Sequence, residues 1–398
     1  MSKSLAVKYR PKTWLDVTEQ DAIKTILTQQ IESGEIKNGY LFCGGAGTGK
    51  TTCARIFANE INKGQGTPIE MDAASNNSVE DIRNVIAQAQ TKSLDSEYKI
   101  FIIDEAHSLS NSAWQAMLKT LEEPPAKSIF IFATTDPQKI PKTILSRVQR
   151  YDFQRLTMKG IVSRLEHILH CEMADFDNFS DFTFTEDFAG NWKSGDVVRC
   201  EKRSDGILVD GVALIDSMEL LKHGHFNLSI TYDSEALEYL AKIADGGMRD
   251  AITLMDKCLS YSTELTVDNV VKALGIANYD VMFSLLDSLI EHKTQLALEQ
   301  IDSVYKSGIE MKQFIKTFME FALDVCKYGL TRDFALLKMP NTYQNVLDKF
   351  GDYEYAETHR LLKDLISLNA EIKWDPSPKY SIEAKLFMFC EVSNGRDN

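Results

Sequence analysis

The first 135 residues alternate between two patterns of hydrophobic and polar positions. Four short apolar runs are typical of buried strands in a parallel sheet; their sequences are YLFCG, PIEMD, KIFII and SIFIFATT. A helix is predicted before the first run, because apolar residues stand at 22, 23, 26, 27 and 31 and Gly34 ends the pattern. Further helices are expected at 50–62, 79–91 and 112–122. Strands that alternate with helices predict a doubly wound α/β fold with a mostly parallel sheet.

The pattern changes after residue 156. Residues 157–171 have helical spacing, but a segment at about 172–229 interrupts the helical pattern and begins with an acidic, Phe-rich stretch at 175–187. The rest of this segment alternates and carries an Asp-Gly turn at 205–206, which predicts a β-hairpin or a small β-unit. Amphipathic helices resume at 233, and the sequence KWDPSPKYS separates the last two.

The composition limits the class of protein. The chain has 398 residues, of which 44% are hydrophobic and 26% charged, as in ordinary soluble globular proteins. Its seven cysteines form no C-x-x-C pair, which favours reduced thiols. No apolar leader opens the sequence and its apolar runs are too short to span a bilayer, so we expect a cytoplasmic protein with no membrane contact. The formal net charge of −14 argues against non-specific binding to nucleic acid, so any DNA contact must come from a local patch.

A glycine-rich segment between a predicted strand and a predicted helix indicates a phosphate site. Its sequence, GGAGTGKT at 44–51, fits the pattern G-x-x-x-x-G-K-[ST]. Glycines there allow backbone N–H groups to turn around phosphate oxygens, Lys50 would reach the β- and γ-phosphates, and the Thr51 hydroxyl would ligate Mg²⁺. The segment therefore predicts binding of ATP with Mg²⁺; a chance glycine-rich loop is the alternative.

Polar residues stand at the ends of the third and fourth apolar runs. Asp104 would hold the Mg²⁺ shell and Glu105 would polarise an attacking water. An Asp-Glu pair alone is a weak signal that also occurs in solvated loops, but the phosphate loop upstream makes it strong. Thr134 and Thr135 end the following strand, where a hydroxyl would contact the γ-phosphate or the water; the β-propensity of threonine explains them equally well.

Six motifs follow one another along the chain. They are VKYRPKTWLDVTEQ, the phosphate loop, DAASNNSVEDIR, DEAHSLSNSAWQAMLKTLEEPP, FATTDPQKIPKTILSR and GGMRDAITLMD. Their order resembles that in the ATPase subunits (gamma/tau) of bacterial DNA polymerase III clamp loaders, closely over roughly 1–170 and 229–275 and more loosely over 276–398. The resemblance implies an AAA+ nucleotide-binding domain at 1–156, a helical lid at 157–274 with the insertion at about 172–229, and an all-α collar for oligomerisation at 275–398.

The resemblance also implies roles for individual residues. Thr135 would sense the γ-phosphate, Arg249 would report ATP to the lid, and Arg147 would be an arginine finger that completes the neighbouring subunit's site. Without the resemblance, a surface salt bridge explains Arg147 as well, and an ion pair at a helix start explains Arg249. The family has cysteine where this chain has Val148. The implied catalytic residues are Lys50, Asp104, Glu105, Thr135, Arg147 and Arg249; the implied ATP contacts are Tyr9, Arg10, Pro11, Gly45, Gly47, Thr48, Gly49, Lys50, Thr51, Thr52 and Arg249; Thr51 and Asp104 would hold Mg²⁺.

A predicted helix start at 72–83 is the candidate DNA contact. Ser78 is a good N-cap and Asp81 stands three residues on, as in a capping box. Such a helix start offers N–H groups and a positive dipole end to phosphate. By position in the family, the contacts to primer–template DNA would come from Asn76, Asn77, Ser78 and Arg83. The family is often more basic here and in the loop before Asp104, which is acidic in this chain, so we expect weaker DNA contacts; a capped structural helix is the alternative.

Two larger departures separate this sequence from the family pattern. The family usually carries a four-cysteine zinc module where residues 59–70 contain no cysteine, so we expect no structural zinc. The insertion has no counterpart in the family, and its Phe-rich part would be a partner-docking strip or a solvated loop. Histidines and cysteines near it are irregularly spaced, which favours unrelated residues over a metal site.

The leading hypothesis is the ATP-hydrolysing motor subunit of a sliding-clamp loader, a DNA-stimulated ATPase that opens the clamp and loads it onto primed DNA during replication. Expected partners are other loader subunits in a ring of five, the sliding clamp, primer–template DNA and a polymerase. One alternative is a scaffold subunit of the loader, which the intact Lys50, Asp104 and Glu105 disfavour. Another is a different AAA+ DNA-remodelling ATPase, a class that lacks a collar of this size.

Overall fold

The computed structural model describes residues 4–93, 95–173, 179–189, 191–203, 206–209, 212–220, 222–226, 230–275 and 279–394. The chain divides into two compact units. The first comprises Met1–Asp175 and Ala244–Asp256, and the second comprises Phe176–Ile243 and Lys257–Asn398. The domain boundaries at 156 and 274 remain a prediction.

The first unit is built on a five-stranded sheet. Its strands are β1 (Gly39–Gly44), β2 (Ile69–Asp72), β3 (Lys99–Asp104), β4 (Ser128–Thr134) and β5 (Gln149–Phe153). They lie in the order β2-β3-β4-β1-β5, and every neighbouring pair is parallel. The predicted parallel α/β architecture is confirmed, and the carboxyl ends of β1, β3 and β4 lie side by side, where parallel sheets place their ligands.

Helices connect these strands. They are α1 (Leu5–Lys8), α2 (Asp21–Ser33), α3 (Lys50–Ile61), α4 (Val79–Ala89), α5 (Asn111–Glu122), α6 (Lys142–Leu145) and α7 (Met158–Met173). The helices predicted in this region are confirmed with small shifts of their ends. Helix α2 ends as predicted, since Gly34 adopts a left-handed φ of 72° and its N–H donates to the Ile31 carbonyl.

Alternate side chains of the central strands enter two separate hydrophobic clusters. On one face Phe101 and Phe130 pack with Trp114 of α5, and on the other Tyr40 packs with Phe57 of α3. Every residue of β4 is buried. Helices on both faces explain why the apolar runs in the sequence are continuous rather than alternating.

Strand β5 was not predicted from the sequence. Tyr151 and Phe153 are buried on its inner face, whereas Arg150 and Asp152 are exposed and hydrogen-bond to each other, with Arg150 Nε 2.9 Å from Asp152 Oδ1. The alternation of apolar and charged residues with a period of two is the sequence pattern that could have predicted this strand. Because β5 pairs with β1, β1 lies inside the sheet, and the residues that lead into the phosphate loop are buried.

The insertion forms a five-stranded antiparallel sheet in the second unit. Its elements are β6 (Phe179–Phe184), β7 (Val197–Arg203), β8 (Gly206–Val209), β9 (Ala213–Ile215), α8 (Ser217–Leu220) and β10 (Gly224–Phe226), with the strand order β10-β6-β7-β8-β9. Pairing of Arg203 with Gly206 confirms the predicted hairpin, although Asp205 of the predicted turn lies outside the described residues.

Two phenylalanines of the Phe-rich stretch are core residues. Phe182 and Phe184 are buried, and Phe184 stacks on Trp192 with ring centroids 5.5 Å apart. These two side chains belong to the core of the small sheet, so they form neither a docking strip nor a solvated loop. Residues 175–178 of this stretch lie outside the described residues.

Helices make up the remainder of the chain, as predicted. They are α9 (Ser234–Ile243), α10 (Met248–Tyr261), α11 (Val267–Leu274), α12 (Tyr279–Ile290), α13 (Thr294–Lys306), α14 (Met311–Thr331), α15 (Gln344–Leu347), α16 (Asp352–Glu371) and α17 (Pro378–Asn394), with a short parallel pair of strands, β11 (Thr231–Tyr232) and β12 (Glu264–Leu265). The predicted break between the last two helices falls between α16 and α17. The all-α character of the C-terminal part is confirmed.

Over the described ranges, no single helix is long and apolar enough to cross a membrane. One bent pair, Val267–Leu274 with Tyr279–Ile290, meets the length and composition criteria only when both helices are counted together.

Candidate nucleotide-binding site

A cleft of about 280 Å³ opens in the first unit where β1 and β3 end. Asp104 and Glu105 line it at one side, and the start of α10 lines it at another. The predicted ATP contacts that it brings together are Tyr9, Arg10, Pro11, Gly47, Thr48, Gly49, Lys50, Thr51, Thr52 and Arg249. Gly45 lies in the same loop but is not among the lining residues.

The phosphate loop closely approaches the segment that precedes α10. Gly47 has a left-handed φ of 70°, and a Cβ at this position would lie 2.9 Å from the Gly247 Cα. The Met248 N–H donates to the Gly47 carbonyl at 3.0 Å. Only glycine combines this backbone conformation with this contact, so Gly47 joins the loop to the segment that carries Arg249.

Lys50, the first residue of α3, is folded onto the loop. Its Nζ donates to the carbonyls of Gly44 at 2.9 Å and Gly45 at 2.7 Å. Burial lowers the pKa of Lys50, and the nearby Glu105 and Asp104 oppose this shift. The ammonium is thus held inside the loop by acceptors that a phosphate oxygen could replace.

Two oxygen side chains meet at the floor of the cleft. Thr51 Oγ1 donates to Asp104 Oδ2 at 2.7 Å. Hydroxyl and carboxylate oxygens are ligands that Mg²⁺ prefers, and Mg²⁺ usually keeps water and phosphate oxygens as its other ligands. In the described ranges, no group of three or more His, Cys, Asp or Glu residues could hold a metal ion by protein ligands alone. The pair suits a nucleotide-bound Mg²⁺, while the lack of a structural zinc remains a prediction.

Four side chains from the ends of β3 and β4 form a polar cluster beside this pair. Glu105 Oε2 lies 3.2 Å from Thr135 Oγ1 and 3.3 Å from His107 Nδ1. The same ring nitrogen lies 3.2 Å from Thr134 Oγ1. Glu105 and the two threonines were predicted from the sequence, whereas His107 was not, because its contact with Thr134 joins two strands that are distant in the sequence.

Basic side chains collect on one side of the cleft. Burial and the neighbouring guanidinium groups of Arg55 and Arg249 lower the pKa of Arg10, and Glu70 and Asp104 oppose the shift. Arg55 is paired with Glu70, with Nη2 to Oε2 at 2.5 Å. An excess of guanidinium over carboxylate here favours an anionic ligand.

The N-terminal segment is fixed to α7. The Tyr9 hydroxyl donates to Glu172 Oε1 at 2.6 Å, and Arg164 Nη2 donates to the Tyr9 carbonyl at 3.1 Å. These contacts place Tyr9 at the cleft. Several lining residues were not identified from the sequence, because a motif does not show which of its side chains face the cleft and some of these residues lie outside the motifs; they are Ala6, Val17, Thr18, Leu156, Arg164, Met248, Asp250 and Ile252.

Arg147 does not line this cleft. Its Nε donates to Glu122 Oε1 at 3.0 Å and its Nη1 to the Thr143 carbonyl at 2.6 Å. Val148 packs against the hydrophobic cluster of α4 and α5. Within this chain, Arg147 therefore makes the surface salt bridge that was the alternative to a finger.

The candidate DNA contacts lie on an exposed loop at the start of α4. Ser78 Oγ accepts from the Asp81 N–H at 3.2 Å, and Asp81 Oδ2 accepts from the Ser78 N–H at 3.1 Å, so the predicted capping box is present. The Asn76 Nδ2 donates to the Asp72 carbonyl at 3.1 Å, and the Asn77 carbonyl accepts from the Ser110 N–H at 3.2 Å. Asn76, Asn77, Ser78 and Arg83 are all exposed, but the Ser78 hydroxyl is already engaged by the cap.

Three family models match consecutive parts of the sequence. A model for the delta subunit of DNA polymerase III matches residues 67–157. A model for the ATPase lid domain of DNA polymerase III clamp loader subunits matches 227–264, and one for domain III of the DNA polymerase III subunits gamma and tau matches 265–395.

Similar curated proteins carry related names. DNA polymerase III subunit tau of Bacillus subtilis is 29% identical over 97% of this chain and 63% of its own length. Subunit tau of Escherichia coli is 30% identical over 78% of this chain and 43% of its own length. Subunit gamma of Buchnera aphidicola subsp. Acyrthosiphon pisum is 26% identical over 96% of this chain and 97% of its own length. The chain thus spans less than two thirds of the two tau relatives.

Among solved structures, the Thermotoga maritima RuvB Holliday junction branch migration motor matches with a TM-score of 0.45 and 17% identity, over 76% of this chain and 86% of that chain. At these values the likeness supports no argument about function.

Proposed function

We propose that this chain, which belongs to the gamma/tau family of DNA polymerase III clamp loader subunits, is the ATP-hydrolysing motor of a sliding-clamp loader. The observation that carries the proposal is the grouping of Lys50, the Thr51–Asp104 pair and Glu105 in one cleft of the first unit. A scaffold subunit would have no use for this combination of groups.

The residues of the cleft support distinct steps in ATP hydrolysis. The loop N–H groups and Lys50 would hold the phosphates, with the Lys50 ammonium moving from the loop carbonyls to phosphate oxygens. Glu105 would accept a proton from the attacking water, and Thr135 would orient that water or the γ-phosphate. Arg10 and Arg249 would balance the phosphate charge, and Tyr9 with Pro11 would contact the base.

Thr51 and Asp104 would hold Mg²⁺. When bound, this ion neutralises charge on the phosphate oxygens as the terminal bond breaks. The protein's own contribution is the oxygen pair, set at a 2.7 Å separation by the start of α3 and the end of β3.

The position of Arg147 supports a ring of subunits in which each ATP site is completed by a residue of the neighbouring subunit. The Arg147 guanidinium lies outside the cleft of its own chain and is exposed on the first unit. We infer that it leaves Glu122 and enters the site of a neighbouring subunit, where a guanidinium stabilises the charge of the transition state. ATP would then strengthen subunit contacts, and hydrolysis would weaken them.

DNA would act from inside the ring. Asn76, Asn77 and Arg83 are exposed at the start of α4 and would contact the phosphate backbone with little formal charge. We propose that ATP binding holds an open clamp, and that primed DNA stimulates hydrolysis and release of the closed clamp.

The decisive experiment measures ATPase rate for the chain assembled with loader subunits, alone and with a sliding clamp and primed DNA. We expect primed DNA and clamp together to raise kcat at least about tenfold, with a Lys50→Ala chain inactive throughout. An unchanged rate in the presence of both would contradict the motor function. Hydrolysis by the Lys50→Ala chain would show that another site is responsible.

A further inference from the structure

We infer that His107 is a positioning residue that orients the Glu105 carboxylate for ATP hydrolysis, an inference that rests on the proposed function of the cleft. His107 lies on the short turn Ala106–Ser108, directly after β3. Its side chain is 19% exposed, and its Nδ1 faces two oxygens, Glu105 Oε2 at 3.3 Å and Thr134 Oγ1 at 3.2 Å.

The contacts of Thr134 fix one side of this arrangement. Thr134 is fully buried at the end of β4, and its hydroxyl oxygen accepts the Asp136 N–H at 3.0 Å. The hydroxyl therefore cannot move without breaking a backbone contact of the following loop. It provides a fixed support for the imidazole.

The position of the ring proton follows from the neighbours of Nδ1. A lone pair on Nδ1 would lie 3.3 Å from the Glu105 carboxylate and be repelled by it, whereas an N–H dipole is attracted to that carboxylate while it bonds to Thr134. The geometry thus assigns a proton to Nδ1, shared between the two oxygens. Both the neutral Nδ1–H tautomer and the imidazolium satisfy this assignment.

Glu105 Oε2 then has two polar neighbours from different strands. Thr135 Oγ1 donates to it at 3.2 Å, and His107 Nδ1 lies 3.3 Å away as an ion-pair contact. In the part of the chain that the structure describes, Oε1 accepts no hydrogen bond, and the Glu105 side chain is 40% exposed. Oε1 is the oxygen left to take a proton from water, and the two contacts at Oε2 set its direction.

Loss of this orientation should slow the chemical step without weakening ATP binding. His107 is absent from the residues that line the cleft, so its removal leaves the contacts to nucleotide in place. A misplaced catalytic group costs up to about 10²-fold in rate.

The test compares His107→Asn with His107→Gln in the assembled loader with clamp and primed DNA. The two variants differ by one methylene group, but only the asparagine amide N–H occupies a place near Nδ1. We expect kcat for His107→Gln to fall about 10- to 100-fold with KM for ATP unchanged, and His107→Asn to stay within about threefold of wild type. Thermal unfolding and binding of a fluorescent ATP analogue check that both variants fold.

Glu105→Gln is the matched control, and it should abolish hydrolysis on its own. Wild-type kcat in both His107 variants, together with an inactive Glu105→Gln, would overturn the positioning role and leave the proposed function standing. Equal losses in both variants would also overturn it, because packing and not the N–H would then be responsible. An active Glu105→Gln would instead refute the ATPase assignment of this cleft.

Discussion

At the scale of single residues, the phosphate loop depends on backbone conformation more than on side-chain chemistry. Gly47 adopts a left-handed φ of 70° and contacts the Gly247 backbone, whereas Gly45 has ordinary surroundings, with Thr48 Cγ2 at 3.8 Å from an added Cβ. The sequence motif treats both as ligands of phosphate. In the structure, a side chain at position 47 would clash with backbone atoms, whereas one at position 45 would not.

We therefore expect Gly47→Ala to destabilise the protein by at least about 2 kcal/mol, because the substitution combines a strained φ with a backbone clash. Gly45→Ala is the matched control and should change the free energy of unfolding by less than about 1 kcal/mol. Chemical denaturation of both variants measures the difference. Equal stabilities would show that the loop relaxes around the added methyl group.

At the scale of elements, helix α4 carries both a structural cap and the candidate DNA contact. Ser78 is committed to Asp81 through the capping box, whereas Arg83, one turn further on, is exposed. The two residues were grouped as DNA contacts from the sequence. Their surroundings indicate that Ser78 stabilises the start of α4, whereas Arg83 is exposed where it can contact DNA.

Substitution can separate the two roles. Ser78→Ala should lower stability by about 1 kcal/mol, as expected for loss of an N-cap. Arg83→Gln should leave stability unchanged, weaken binding to primed DNA and reduce the slope of log K against log salt by about one. Denaturant unfolding and salt-dependent DNA binding of the assembled loader distinguish them. An Arg83→Gln variant with the wild-type salt dependence would remove Arg83 from the DNA interface.

A pair of hydrogen bonds from one side chain joins two elements that are distant in the sequence. Asn62 Nδ2 donates to the Tyr98 carbonyl at 2.9 Å, and its Oδ1 accepts the Tyr98 N–H at 2.9 Å. One amide thus ties the end of α3 to the start of β3. No sequence pattern predicted this clip, because the two residues are 36 positions apart.

At the scale of the whole molecule, the residues that line the cleft include the predicted groups except Gly45, Thr135 and the finger Arg147. Arg147 is paired with Glu122 in its own chain, and an exposed salt bridge of this kind contributes little to stability. Breaking this salt bridge so that Arg147 can reach a neighbouring subunit therefore costs little free energy. This low cost is compatible with the shared site that we propose.

We expect Arg147→Ala to leave ATP binding by the isolated chain nearly unchanged but to reduce stimulated hydrolysis in the loader by about 10³-fold or more. Glu122→Gln is the matched control, since it breaks the same ion pair but keeps the guanidinium, and it should retain hydrolysis. Steady-state ATPase and nucleotide-binding measurements test both. An equal loss in the two variants would mean that Arg147 acts only through its salt bridge.

The sequence by itself determined the alternation of strands and helices, the phosphate loop and the acids that follow β3, because these depend on local periodicity and on spacing along the chain. The tertiary structure decided which groups meet. Asp104 pairs with Thr51, and His107 reaches Thr134, only because the order β3-β4-β1 brings three strand ends together. Strand order and register are set by non-local burial of both sheet faces, and no short window of sequence contains them.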